Sequence, residues 1–477
     1  MASASKPLIP NVLADRYASA EMAGLWTDEA RVLRERDFWI TVLTEQIARG
    51  YQAPKGALEA YQKAKDHVDL ASIRERERRT GHDVMARIEE FNALAGFESI
   101  HVGMTSRDVT ENTEQAAILA SLALTRTHAL ATLARLDALA VHYRDQPVVG
   151  RSHNVPAQIT TLGKRFATAG EELMLGLAAL DQFIESYPLR GIKGPMGTAA
   201  DQSQLLSSAD AAASLDAAIA EALGADLFTS VGQVYPRSLD LATVDLLIRL
   251  MSPLASLAAT IRLMAGTAQA SEGFAKGRVG SSAMPHKMNA SRSERIHGLY
   301  AALGGSHAQL AAVTGNQWYE GDVTCSVVRR VALPNAFFAA DGLLQTALAV
   351  LGGFEAYPAV ITAEIKTYLP FLATTKILLA AVAKGVGRDT AHAIIKEHAV
   401  AAATNMRETG AANDLITRLA GDDRIKLSAA ELEELLAADP LDFTGRAREQ
   451  VDAFHNQVTS ELAKDGSAAR YDGEAVL

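Results

Sequence analysis

Residues 108–144 contain neither glycine nor proline and repeat Ala, Leu and Ile at three- and four-residue steps. That spacing predicts a single helix with a long apolar face. At about 1.5 Å per residue it would run roughly 55 Å. The segments 163–187, 238–272, 290–314 and 326–351 carry the same stepping. Helices this long far exceed the usual mean of about 11–12 residues. They bury their apolar faces best by lying alongside one another in a bundle. Aromatic residues are only 6 % of the chain, whereas strands enrich in aromatic and β-branched residues. The fold class read from this pattern is all-α.

The 477 residues divide into three stretches. Residues 1–106 read as an N-terminal helical domain. Within it Asp28 opens a helical run through Phe38, Trp39, Val42, Leu43 and Ile47, stopped by Gly50, Pro54 and Gly56. Residues 107–362 form the central long-helix domain. In 363–477 the helices shorten, interrupted by Gly385, Gly387, Gly410 and Gly421, as in a smaller C-terminal helical domain. No fixed-period repeat and no low-complexity tract occurs.

A net charge of −10 makes the chain a poor non-specific nucleic-acid binder. A local cluster of Arg, Lys and His can still hold a small anion. The single cysteine, Cys325, excludes an intrachain disulfide and suits a reducing, cytoplasmic setting. The first residues lack an apolar core of signal-peptide length. No run reaches eighteen consecutive apolar residues, so no membrane span is expected.

Polar or glycine-rich connections between the long segments are where chemistry can sit. The most informative is Val279-Gly280-Ser281-Ser282-Ala283-Met284-Pro285-His286-Lys287-Met288-Asn289, followed by Glu294 and Arg295. A glycine-led loop with two serines, a lysine and an amide offers a proton acceptor together with donors for a developing negative charge. Serine is a weak base, so its alkoxide would need the support of Lys287 and of backbone amides at the next helix start. The stretch Gly150-Arg151-Ser152-His153-Asn154-Val155-Pro156-Ala157-Gln158 supplies a histidine able to give up a proton near neutral pH. His101, Thr105 and Ser106 precede a helix start, whose free amides suit a carboxylate. The pair His82-Asp83 could begin a metal site, but no His-x-His, His-Glu-x-x-His or cysteine ligand accompanies it. No metal is therefore assigned. The Lys193–Thr198 stretch lacks the spacing of a phosphate loop and reads as a turn, with substrate contact the alternative.

The Ser281 loop resembles the signature of the fumarase/aspartase superfamily. Its Ala-Met-Pro-His-Lys form is similar to the adenylosuccinate lyase family. Arg16-Tyr17-Ala18-Ser19, the His82 region, Leu369–Thr374 and Asp442–Ala447 resemble that family too, so the likeness covers nearly the whole chain. It implies a fumarase/aspartase-like fold and β-elimination of fumarate from an N-succinyl nucleotide of purine biosynthesis. It implies that Ser281 removes the Cβ proton, with Ser282 the alternative, and that His153 protonates the leaving nitrogen. Glu294 would orient that histidine. Lys287 and Asn289 would hold the carboxylate that takes up the carbanion charge. By the same likeness Arg16, Tyr17, His82, Asp83, His101, Thr105, Ser106, Ser152, Gln158, Gln233, Ser282, Arg295, Ser326 and Arg330 bind substrate. No cofactor is implied. The partners implied are the nucleotide substrate and further copies of the chain in a homotetramer with shared sites, with no nucleic acid and no membrane. Three departures stand out: Ala290 where the family has proline, and Gly81 and Gly321 where arginines are common. The alternatives left open are another N-succinyl substrate and a non-enzymatic protein on this fold.

Overall fold

A computed structural model describes residues 9–273, 284 and 286–474. The helices Ser106–His142, Leu162–Glu185, Ser238–Gly266, Ser291–Val313 and Cys325–Gly353 pack lengthwise into a central bundle. Their boundaries fall within a few residues of the apolar runs, except that Ser238–Gly266 stops six residues before its run ends. Leu122, Leu133, Leu177, Leu250, Leu303 and Phe337, all nearly or wholly buried, form its axis.

Helices Asp28–Ala48 and Asp83–Ala95 build a second core around Trp39, Tyr61 and Phe91. Leu215 and Ile219, from helix Ala209–Leu223, complete that core. This insertion between bundle helices therefore serves the N-terminal part of the chain. A third core gathers Ile377, Ile394, Leu415, Leu419 and Leu432. Helix Ala447–Leu462 leaves it and returns to the bundle, where Phe454 is fully buried. It fits because residue 170 is glycine: a Cβ there would lie 2.2 Å from the Phe454 ring.

Strands among the described residues form three two-stranded pairs. The largest, Pro147–Ser152 antiparallel to Val155–Thr161, corrects the expectation of an irregular connection over Gly150–Gln158. Its alternating signal is broken by Gly150 and the polar run after it, so it reads as a loop in sequence.

Among the described residues four helical stretches are long and apolar enough to cross a bilayer by length and composition alone. In Ser106–His142, Ser238–Gly266 and Cys325–Gly353, 61–83 % of the apolar window is buried inside the molecule, so it serves the bundle core. In Pro358–Ala383 the buried share is 28 %.

The bundle also buries charge. Arg237 meets Glu111 at 2.7 Å, and Arg329 meets Asp240 and Glu114 at 2.7 Å each. Burial alone would lower the Arg329 pKa, but Asp240, Tyr235, Glu114 and Glu111 outweigh it and keep the guanidinium charged. Burial would likewise raise Glu111, yet Arg237, Arg329 and Arg107 hold it low. Removing one member would strand its partners in a dry interior.

Phe454→Ala is expected to destabilise the fold by about 3–5 kcal/mol, the range for emptying a buried aromatic site. A urea midpoint equal to that of the natural protein would show that the Ala447–Leu462 helix contributes little to the core.

Candidate active site

The sequence-derived residues fall into three groups along the bundle. The first gathers where helices Ser106–His142 and Cys325–Gly353 begin. His82 caps helix Asp83–Ala95, its Nδ1 accepting from the Met85 N–H at 3.2 Å. Asp83 pairs with Arg330 at 3.2 Å and with Arg87 at 3.5 Å. Burial would raise the Asp83 pKa, but Arg87, the Val84 N–H, Arg330 and His82 together hold it below the usual carboxylate value. His101, at φ 65°, accepts the Trp39 indole N–H on Nδ1 at 3.1 Å. An indole only donates, so the imidazole proton sits on Nε2. Burial, with His82 nearby, lowers the His101 pKa to about 4. His101 is thus a neutral donor, not a cation for a phosphate.

The turn after His101 is built by Gln46 and Gln202, which both donate to the Val102 carbonyl, Gln202 reaching Gly103 as well. Gly103 sits at φ 67° with the Gln202 amide 2.9 Å from where a Cβ would stand, which favours glycine there. Thr105 then caps helix Ser106–His142, and the fully buried Asp108 accepts its N–H at 2.7 Å. The other Asp108 oxygen takes the Lys193 and Gly194 N–H groups at 3.0 Å each, together with Arg190. One carboxylate therefore ties the Thr105–Ser106 turn to the Lys193–Thr198 turn. Gly232, next to Gln233, accepts from the same Arg190 at 3.1 Å. Ser326 lies in the first turn of helix Cys325–Gly353.

The second group lies part-way along. Arg16 ends helix Val12–Arg16 and is exposed, and Tyr17 packs on helix Cys325–Gly353 at Gly342. The Arg295 guanidinium stands 5.4 Å from the Tyr17 ring centre.

The third group is at the far end. Helix Ser106–His142 separates it from the first by 37 residues, roughly 55 Å at about 1.5 Å per residue. His153 and Asn154 form the two-residue tip of the hairpin, at φ 51° and 60°. Two-residue hairpin loops need such left-handed residues. Arg151 donates to the Asn154 carbonyl at 3.0 Å and pairs with Glu364, which steadies the tip. Ser152, His153 and Gln158 are all exposed. A groove of about 540 Å³ opens beside the hairpin base, rimmed by Arg151, Lys164 and Arg165.

Helix Ser291–Val313 begins at this same end. The nearly buried Glu272 accepts the N–H groups of Arg292 and Ser293 at 3.1 and 2.5 Å, binding the chain before the loop to the helix after it. Strand Ala270–Ser271 pairs with Glu355–Ala356, and the Ala356 N–H donates to the Tyr143 hydroxyl at 3.3 Å, just past the end of helix Ser106–His142. Lys287, Asn289 and Glu294 are exposed there, and the Lys287 N–H donates to the Met284 carbonyl at 3.0 Å. Ser281 and Ser282 lie outside the described residues. No three His, Cys, Asp or Glu side chains converge as metal ligands among the described residues.

Residues 32–304 match the model of the family described as Lyase, and residues 370–454 match that described as Adenylosuccinate lyase C-terminus. The adenylosuccinate lyase of Saccharomyces cerevisiae is 35 % identical over 93 % of both chains. That of Schizosaccharomyces pombe is 33 % identical over 94 % of both. The chain belongs to the adenylosuccinate lyase family. It is a lyase, as the family descriptions state. Solved structures share its fold: a fumarate lyase from Mesorhizobium sp. BNC1 (TM-score 0.78, 20 % identity) and 3-carboxy-cis,cis-muconate lactonizing enzyme from Pseudomonas putida (0.80, 20 %). Each covers 94 % of this chain, which covers 100 % of each of them.

Two departures of this adenylosuccinate lyase family member are backbone features. Gly81 ends helix Leu70–Thr80 at φ 66°, and Gly321 adopts φ 138°. Both conformations disfavour an arginine. Reading the sequence alone passed over Asp108 and Glu272 as site-building residues. The first had a signal, an acid three residues after the capping Thr105. Glu272 had none, because its partners follow the loop at Arg292 and Ser293.

The low His101 pKa makes stability depend on pH. Between about 6.5, the ordinary imidazole value, and about 4, the unfolded chain binds a proton that the folded one refuses. Stability is therefore lost as pH falls through that window. His101→Gln is expected to flatten the change in urea midpoint between pH 7 and pH 5. An unchanged difference would mean that His101 is charged or solvated in the folded state.

Proposed function

We propose that this chain eliminates fumarate from adenylosuccinate, giving AMP, and from succinyl-aminoimidazole-carboxamide ribotide, giving aminoimidazole-carboxamide ribotide, in purine nucleotide biosynthesis. The observation that carries this is identity with adenylosuccinate lyases along nearly the full length of both chains. In this reading Ser281 takes the proton from the carbon beside one succinyl carboxylate. The charge spreads onto that carboxylate, which Lys287 and Asn289 hold. The C–N bond then breaks, its electrons pass to nitrogen, and His153 supplies the proton there. Glu294 orients His153. His82, Asp83, Arg330, His101, Thr105 and Ser106 bind the substrate, and Gln233 and Ser326 stand beside them.

Thr105 and His153 lie at opposite ends of one bundle, so we read the site as assembled between copies of the chain. Antiparallel bundles in a closed, symmetric tetramer would set one copy's hairpin beside another's Thr105 turn. The exposure of His153 and Lys287 in the single chain supports this reading.

Mixing purified protein with adenylosuccinate and following absorbance as AMP and fumarate form tests the function. Absence of fumarate, with release from another N-succinyl compound in a substrate panel, would move the assignment to that substrate. For the roles, Ser281→Ala and His153→Ala should each lower kcat by about 10²–10⁴-fold, the span of a positioned proton-transfer group. Glu294→Gln should lower kcat with little change in KM, the pattern of an interaction made in the transition state. An effect on KM alone would take Glu294 out of the proton relay.

A further inference from the structure

Arg16 and Tyr17 sit where helix Val12–Arg16, five residues long, meets helix Ala20–Leu25, six residues long. Helices so short do not hold themselves in water. Their fixed position comes from elsewhere, and the hydrogen bonds show where. The buried Asp341 accepts the Ser19 N–H on Oδ2 at 2.6 Å. Its Oδ1 lies 2.6 Å from Nδ1 of His128, which is equally buried. A carboxylate only accepts, so Nδ1 carries the proton. The Gln345 NH2 group, 3.1 Å from that nitrogen and 3.4 Å from Oδ1, therefore donates to Asp341.

The amide oxygen of Gln345 faces the other way. It accepts the Tyr471 hydroxyl at 3.0 Å and the Glu474 N–H at 2.9 Å. The Tyr471 ring stacks on His128, centres 4.2 Å apart. The Glu474 carboxylate reaches back to the Ala20 N–H at 3.0 Å. Residues 471–474 are thus joined to the Ser19–Ala20 turn twice, once through Gln345 and Asp341 and once directly. Tyr17 itself rests on Gly342, where a Cβ would stand 2.8 Å from the Tyr17 Cβ.

We infer that Tyr471, Glu474, Gln345, His128 and Asp341 form a clasp whose task is to position Tyr17 for substrate. They are positioning residues: they act through the Ser19–Ala20 turn. The inference rests on the proposed function and on the reading of Tyr17 as a substrate contact, which the family resemblance implies.

Steady-state kinetics on the full chain with adenylosuccinate tests it, using Asp341→Asn, Tyr471→Phe, Tyr17→Ala and the Tyr471→Phe/Tyr17→Ala double variant. Tyr471→Phe loses one hydroxyl and serves if Asp341→Asn fails to fold, as circular dichroism would show. Each clasp variant should raise KM by about threefold to tenfold, the effect of one hydrogen bond, with kcat within about twofold. Because the clasp acts through Tyr17, the double variant should have the KM of Tyr17→Ala alone. Wild-type KM in a folded Tyr471→Phe protein beside a raised KM in Tyr17→Ala overturns the clasp and leaves the reading of Tyr17 intact. KM effects that multiply in the double variant also overturn the clasp. Wild-type KM in Tyr17→Ala removes that reading, and the clasp with it.

Discussion

The helix Ser106–His142 is a strut, and its length sets what one chain can do alone. Its 37 residues place the Thr105 turn and the His153 hairpin at opposite ends of the bundle. Nothing along it can bend far, because neither glycine nor proline interrupts it. The groups that the proposed function assigns to holding an anionic substrate collect at the end with His82, Arg330 and Thr105. His153, which the proposal makes the proton donor, lies at the other end with Glu294 and Lys287, which it assigns to orienting that histidine and to holding the substrate carboxylate. In the proposed reaction both kinds of group act on one substrate, which is why that reading calls on more than one copy of the chain.

Buried polar groups fix the connections at both ends. Asp108 accepts from two separate turns and from Arg190, so the Thr105 and Lys193 segments move as one unit. Glu272 does the corresponding work at the far end, where it caps helix Ser291–Val313 from the opposite side of the loop. These carboxylates are stable in the interior because donors surround them; losing a donor would leave an uncompensated charge. The same logic keeps Arg237 and Arg329 ionised beneath the first turns of Ser106–His142.

The long helices were legible in the sequence because apolar stepping without breakers has one structural solution. The His153 hairpin was not, since its polar tip and the bulge at Gly150/Arg151 erase the two-residue alternation that marks a strand. The grouping of site residues was half legible. Sequence order put His101 with Thr105, but only packing brings Arg330 to Asp83 across 247 positions and Arg295 to Tyr17 across 278. The buried pairs of Arg190, Arg237 and Arg329 with Asp108, Glu111 and Asp240 were not legible, because the partners stand 82, 126 and 89 positions away. The roles of Ser281 and Ser282 rest on the resemblance alone, as those residues lie outside the described structure.

Subunit complementation tests the shared site most directly. His82→Ala and His153→Ala remove one residue from each end of the bundle. The two inactive proteins would be mixed under conditions that exchange subunits, with hybrids confirmed by native mass spectrometry. If each site draws His82 and His153 from different chains, random mixing leaves about one quarter of sites intact, and a matching fraction of fumarate release returns. Hybrids that form and stay at the activity of the separate variants would contradict the account, because both histidines would then serve a site from within one chain.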